Sequence, residues 1–162
     1  GLEPVFDLDL SQLEQQYFAA QKLFHPDRLI GKPDSDRTAS INQSMLINDA
    51  YRALKDPLKR AQHLLLLNDI SVGDEKSAIK PGLELLAEII EIRESISELG
   101  TAQATRKLGK RMEKERDITI KALSAAFGQN DLQNAAQMTI RLAYLLKILD
   151  EIRIQTKRFE PV

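Results

Sequence analysis

His25, Pro26, Asp27 and Arg28 set an imidazole, a carboxylate and a guanidinium around one proline. Pro26 has no amide hydrogen and biases the residue before it away from the α region, so a helix arriving at Phe24 should end there. The side chains are then offered from a loop. Two chemistries can be set aside. An acid–base pair of His25 and Asp27 needs a third orienting group or an oxyanion donor, and the sequence identifies neither. A phosphoryl-accepting histidine needs an imidazole on the middle of a regular helix, which Pro26 interrupts. What is left is a loop made for presentation, or an ordinary polar loop at a helix end, and the surroundings must decide.

A second constellation lies on a helix expected after Pro81. Leu85, Ile89, Ile92, Ile96 and Leu99 alternate spacings of four and three and form one narrow core stripe. At 100° per residue, Leu86 and Ile90 fall about 100–140° from that stripe, where a three-helix bundle has little need of them. Surplus apolar surface bordered by Arg93 and Glu94 has the make-up of a partner site. The bland alternative is that Leu86 and Ile90 widen the core stripe or seal a joint between two parts of the chain.

Composition narrows the classes. The chain has 162 residues, 43% hydrophobic and 29% charged, with a formal net charge of −1. That suits one globular domain or two small ones, and it lacks the basic excess of a nucleic-acid binder. With no cysteine, disulfides, thiolate nucleophiles and Cys-ligated metals are excluded, and two histidines make a His-rich metal site a poor expectation. Neither a membrane-spanning apolar run nor a secretory leader is visible, so a cytoplasmic location is expected.

These residues must be positioned by helices, because Gly and Pro fall almost wholly at joints and the periodicity between them is three to four. An extended lead-in offers Val5 and Phe6 for packing. Asp9 caps a helix carrying Leu10, Leu13, Tyr17, Ala20 and Phe24 inward, with Lys22 facing water beside the loop. After a polar loop to about Arg37, a helix beginning near Thr38 directs Ile41, Met45, Ala50, Tyr51 and Leu54 inward. Asp56-Pro57 caps the next helix, whose core side is Ala61, Leu64 and Leu65. Residues 69–80 read as a connection. Two further long helices span Thr101 to about Phe127 and, capped by Asn130 or Asp131, run to about Lys157. The first of these has a basic run from Arg106 to Arg116, readable as a phosphate patch or as a solvated face. Interleaved Glu113, Glu115 and Asp117 favour the solvated face.

The chain resembles the J-domain co-chaperones, and among them the HscB type that serves iron–sulfur cluster assembly. The resemblance rests on His25-Pro26-Asp27-Arg28 after the Tyr17-to-Phe24 helix and on the stretch from Ile47 to Ala61, INDAYRALKDPLKRA, which is similar to the family's "INxAYxxLxxPxxRAxYLL". It implies an all-α protein with a J domain over residues 1–68, lacking its first short helix, a linker over 69–80, and a three-helix scaffold-binding domain over 81–162. It further implies a regulator with no active site or cofactor of its own. His25, Pro26, Asp27 and Arg28, with Lys22, would engage a DnaK/HscA-class ATPase chaperone and accelerate its ATP hydrolysis. The Asp27 carboxylate would pair with an arginine of that partner. Leu86, Ala87, Ile90, Glu91, Arg93, Glu94 and Tyr144 would bind an IscU-type scaffold. No nucleic acid or membrane enters this reading, and nothing demands more than a monomer. Other readings are a J-domain protein for a different client, or a helical adaptor without chaperone coupling, which would leave His-Pro-Asp unexplained.

Overall fold

In a computed structural model, residues 3–24, 34–73, 77 and 79–159 are described. They form six α-helices, α1 (Leu10–Leu23), α2 (Asp34–Lys55), α3 (Pro57–Leu66), α4 (Leu83–Glu98), α5 (Ala102–Gly128) and α6 (Leu132–Arg158). Among the described residues there is no strand, and no helix is long and apolar enough to cross a membrane.

The N-termini of α1, α3, α5 and α6 are each closed by a side chain. Asp9 Oδ1 accepts from the amides of Ser11 and Gln12, and Asp56 Oδ1 from those of Leu58 and Lys59. Thr101 caps α5 through Ala104 N–H, and Asp131 caps α6 through Asn134 N–H. These bonds satisfy amides that have no partner inside the helix. The helix after Pro81 begins two residues later than expected, at Leu83, with Gly82 at the cap position and no side-chain cap.

The α1–α2 hairpin corrects the expected packing. The second helix begins at Asp34, one turn before Thr38, and Asp36 supplies the negative charge that a first helical turn favours. Ile41, Met45 and Ala50 do not face inward; Met45 is 59% exposed, and Leu10 on α1 is also exposed. The helix is instead rotated so that polar groups meet α1. Tyr17 hydroxyl donates to Asn48 Oδ1 at 2.8 Å, Gln21 Nε2 donates to the same oxygen at 3.0 Å, and Ser44 hydroxyl donates to Gln21 Oε1 at 3.0 Å. Tyr17 and Tyr51 stack with ring centroids 4.2 Å apart. Leu13 is the buried apolar residue of α1.

The main core is non-local. Phe6, Ala61, Leu64, Leu65, Val72, Leu123, Ala126, Ala135, Ala136, Ile140 and Leu142 form one buried cluster, so the lead-in, α3, the segment after α3, α5 and α6 share it. Phe6 stacks on Phe127 with ring centroids 5.3 Å apart and has the Arg60 guanidinium over its ring at 5.0 Å. Val5, the second residue expected to pack, stays exposed. Burial lowers the pKa of Arg60, opposed by the charges of Asp7 and Asp56. A second cluster joins Ile89, Ile92 and Ile96 of α4 to Met112 of α5 and Leu145, Ile148 and Ile152 of α6. The expected α4 stripe is therefore the face that docks from Leu85 to Ile96, while Leu99, expected on it, joins neither cluster. At Gly109 a Cβ would lie 3.3 Å from Ile152 Cγ2, which marks a close approach of α5 to α6.

Candidate partner-docking surfaces

His25, Pro26, Asp27 and Arg28 lie outside the described residues. The chain entering them does not. Phe24 ends α1 with its amide bonded to Ala20 O at 3.3 Å, and its carbonyl oxygen accepts 2.9 Å from the hydroxyl of Ser40, which is buried on α2. Lys22 is exposed on the last turn of α1, as expected. The end of α1 is thus tied across the hairpin by a serine that apolar periodicity gave no reason to select.

On α4 the core stripe and the surplus face separate as the helical spacing implies. Ile89, Ile92 and Ile96 are buried, Leu86 is half-buried, Ala87, Glu91, Arg93 and Glu94 are exposed, and Ile90 is 57% exposed. Leu83, 85% exposed, completes that face; it lies within about 40° of Ala87, Ile90 and Glu94 on a helical wheel, a signal already present in the sequence. Tyr144 is half-buried on α6, packs against both core clusters and has Lys147 Nζ 5.6 Å from its ring centroid.

Ion pairs set α4 on α6. Arg93 makes a two-point contact with Glu151, Nη2 to Oε1 at 2.7 Å and Nε to Oε2 at 3.2 Å. Five residues earlier on α4, Glu88 accepts a second two-point contact from Arg141 at 2.6 and 2.8 Å, and Arg141 also reaches Glu115 of α5 at 3.8 Å. The hydrogen bonds to Glu88 raise the Arg141 pKa more than burial lowers it. Fork-to-carboxylate geometry fixes orientation as well as proximity. Arg93, expected as a partner contact, therefore has an intramolecular anchor, and its exposed edge alone is open to a partner. No group of three or more His, Cys, Asp or Glu suited to a metal ion occurs among the described residues. The α4 face offers apolar recognition with charged borders.

The arrangement is that of a J-domain hairpin followed by a C-terminal helical bundle, and solved structures share it. Chaperone HscB from Vibrio cholerae superposes with a TM-score of 0.83 at 30% identity, over 99% of this chain and 96% of that one. Human co-chaperone protein HscB gives 0.86 at 27% identity, over 94% of this chain and 77% of that one. The family described as HSCB C-terminal oligomerisation domain matches residues 82–153. A co-chaperone protein HscB homolog of Neisseria meningitidis is 32% identical over 155 residues, covering 93% of this chain and 92% of that protein. A homolog from Pseudoalteromonas atlantica is 31% identical over 162 residues, covering 96% and 92%. The chain belongs to the HscB family of co-chaperones.

Proposed function

We propose that this co-chaperone stimulates ATP hydrolysis by an Hsp70-type chaperone of the DnaK/HscA class and delivers to it an IscU-type scaffold during iron–sulfur cluster assembly, in the cytoplasm. It acts as a regulator of the partner's active site. His25, Pro26 and Asp27 engage the ATPase, with Lys22 and Arg28 meeting an acidic surface beside them, where charge acts mainly on encounter and orientation. The scaffold takes the α4 face with Leu86, Ala87, Ile90, Glu91 and Glu94, Tyr144 on α6, and the open edge of Arg93. The J domain runs to residue 68 and the scaffold-binding part from 81, with 69–80 joining them.

The observation that carries this reading is the exposure of Ile90 and Leu83 on a helix whose opposite side already fills a core. Apolar side chains held in water on a rigid helix favour an apolar partner. Two measurements test the halves separately. In steady-state ATPase assays with a DnaK-class chaperone, His25→Gln or Asp27→Asn abolishes stimulation while helical circular dichroism is unchanged. In calorimetry with an IscU-type scaffold, Ile90→Ser with Leu86→Ala weakens binding and leaves scaffold-independent stimulation intact. Full stimulation by the loop variants sinks the chaperone half, and unchanged affinity sinks the scaffold half.

A further inference from the structure

The basic run on α5 is not the self-neutralised face that its alternating signs suggest. Asp117 is held by Arg116 at 2.8 Å. Glu115 turns toward Arg141 at 3.8 Å. Glu113 lines the neighbouring groove between α5 and α6 with Lys110, Arg116 and Arg153. Lys107, Lys110, Arg111, Lys114 and Lys121, all exposed, occupy a sector of about 100° at 100° per residue. Among the described residues none of these five is ion-paired.

This ridge borders an apolar floor. Leu99, which ends α4, joins Ala104, Leu108 and Ile118 in a groove of about 640 Å³ along α5, whose rim is Lys107, Lys110, Arg111 and Lys114. Ile118 is 59% exposed. Such a volume seats a few side chains rather than a whole domain. Glu115 is the one acid lining the groove, and Arg141 engages it.

We propose that this groove docks an acidic amphipathic helical segment of a partner protein. Its apolar side chains would cover Leu99, Leu108 and Ile118, and its Asp and Glu would meet the free cations of the rim. A phosphate strand would use the rim and leave the floor uncovered, and the groove has no aromatic platform for bases. A second copy also carries acid-flanked apolar residues, on its α4 face. That contact would be head-to-tail, with one unused face left at each end of the chain of copies. The groove shares no residue with the proposed scaffold face, so the proposal stands apart from that reading.

The test uses the full chain and a fluorescein-labelled leucine–glutamate amphipathic helical peptide, read by anisotropy. Saturable binding is expected. It weakens by about tenfold or more in the Lys107→Glu, Arg111→Glu, Lys114→Glu variant, and also in Ile118→Ser, because both the rim and the floor contribute. The peptide with glutamine in place of glutamate binds correspondingly less. Three results overturn the proposal: equal affinity for the charge-reversed variant; tighter binding of oligouridylate than of the peptide; or self-association in sedimentation that the same variants abolish. Both variants change only exposed positions, and circular dichroism separates lost docking from lost folding.

Discussion

The hydroxyl of Ser40 donates a 2.9 Å hydrogen bond to the carbonyl oxygen of Phe24, across the hairpin and one residue before His25. That oxygen belongs to the last turn of α1, where carbonyls lack helical partners, so the bond both satisfies it and fixes where the chain leaves the helix. Ser40→Ala should cost about 1 kcal/mol, which lowers the melting temperature by about 2–4 °C for a chain of this size. Hydrogen exchange should quicken at Phe24 while α5 and α6 keep their protection. On the proposed function, ATPase stimulation falls in the same variant. Unchanged exchange at Phe24 would remove the anchoring role.

Asn48 Oδ1 accepts from both Tyr17 hydroxyl and Gln21 Nε2. Asn48→Ala leaves two partly buried donors without that acceptor and should destabilise by about 1–2 kcal/mol. Asn48→Asp keeps an acceptor at the same place and should recover most of the loss at neutral pH. Thermal unfolding of the two variants side by side checks the expectation, since a purely steric role for Asn48 would make them alike.

Phe6 is buried against Phe127 and the Arg60 guanidinium. Phe6→Ala should cost about 3 kcal/mol through lost burial and the void left behind. In urea at 25 °C the midpoint falls with little change in slope. Deleting the lead-in through Phe6 should cost at least as much. A loss below about 1 kcal/mol would show that this segment does not seal the core.

Arg141 ties Glu88 of α4 to α6, and its folded pKa is raised, chiefly by the hydrogen bonds to Glu88. For a cation with a raised folded pKa, the stabilisation is fully present below the unfolded value and is lost only as pH climbs through the folded one. Arginine stays protonated far above neutral pH even in the unfolded chain, so the pair should be insensitive to pH across the neutral and mildly alkaline range. Arg141→Gln should therefore lose a constant amount between about pH 6 and 10, about 0.5–1 kcal/mol given the pair's partial exposure. Urea titrations at three pH values check this. A difference that shrank toward pH 10 would contradict it.

Much of the architecture could be read from residue types alone, because it rests on local chemistry. Asp56 before Pro57, Thr101 and Asp131 announce helix starts by their side-chain oxygens. Ile89, Ile92 and Ile96 announce a buried face by their spacing. Apolar periodicity failed in α2, where the surface against α1 is built from Ser40, Ser44 and Asn48 and leaves Met45 in water. A hydrogen-bonded interface has no hydrophobic signature. The burial of Arg60 was equally hidden, since it depends on Phe6, far away in the chain. Arg60 and Ala61 sit in the stretch that carries the family resemblance, yet their surroundings are those of a core. Part of that signature therefore records architecture rather than partner contact. The α4 surplus face was legible as Leu86 and Ile90, whereas the α5 ridge was not, because charge alternation along the chain does not say which way each acid turns.

Ala61, Leu64 and Leu65 on α3 are buried in one cluster with Ala135, Ala136 and Ile140 on α6. The α1–α2 hairpin, which packs on α3, is therefore mounted through α3 like a bracket on a long strut instead of hanging from a cord. For two guests held at once, a cord would leave their separation to chance and charge the entropy of alignment at every encounter. On the proposed function, a bracket settles that alignment once, when the chain folds, so each arriving pair would meet at a span already chosen.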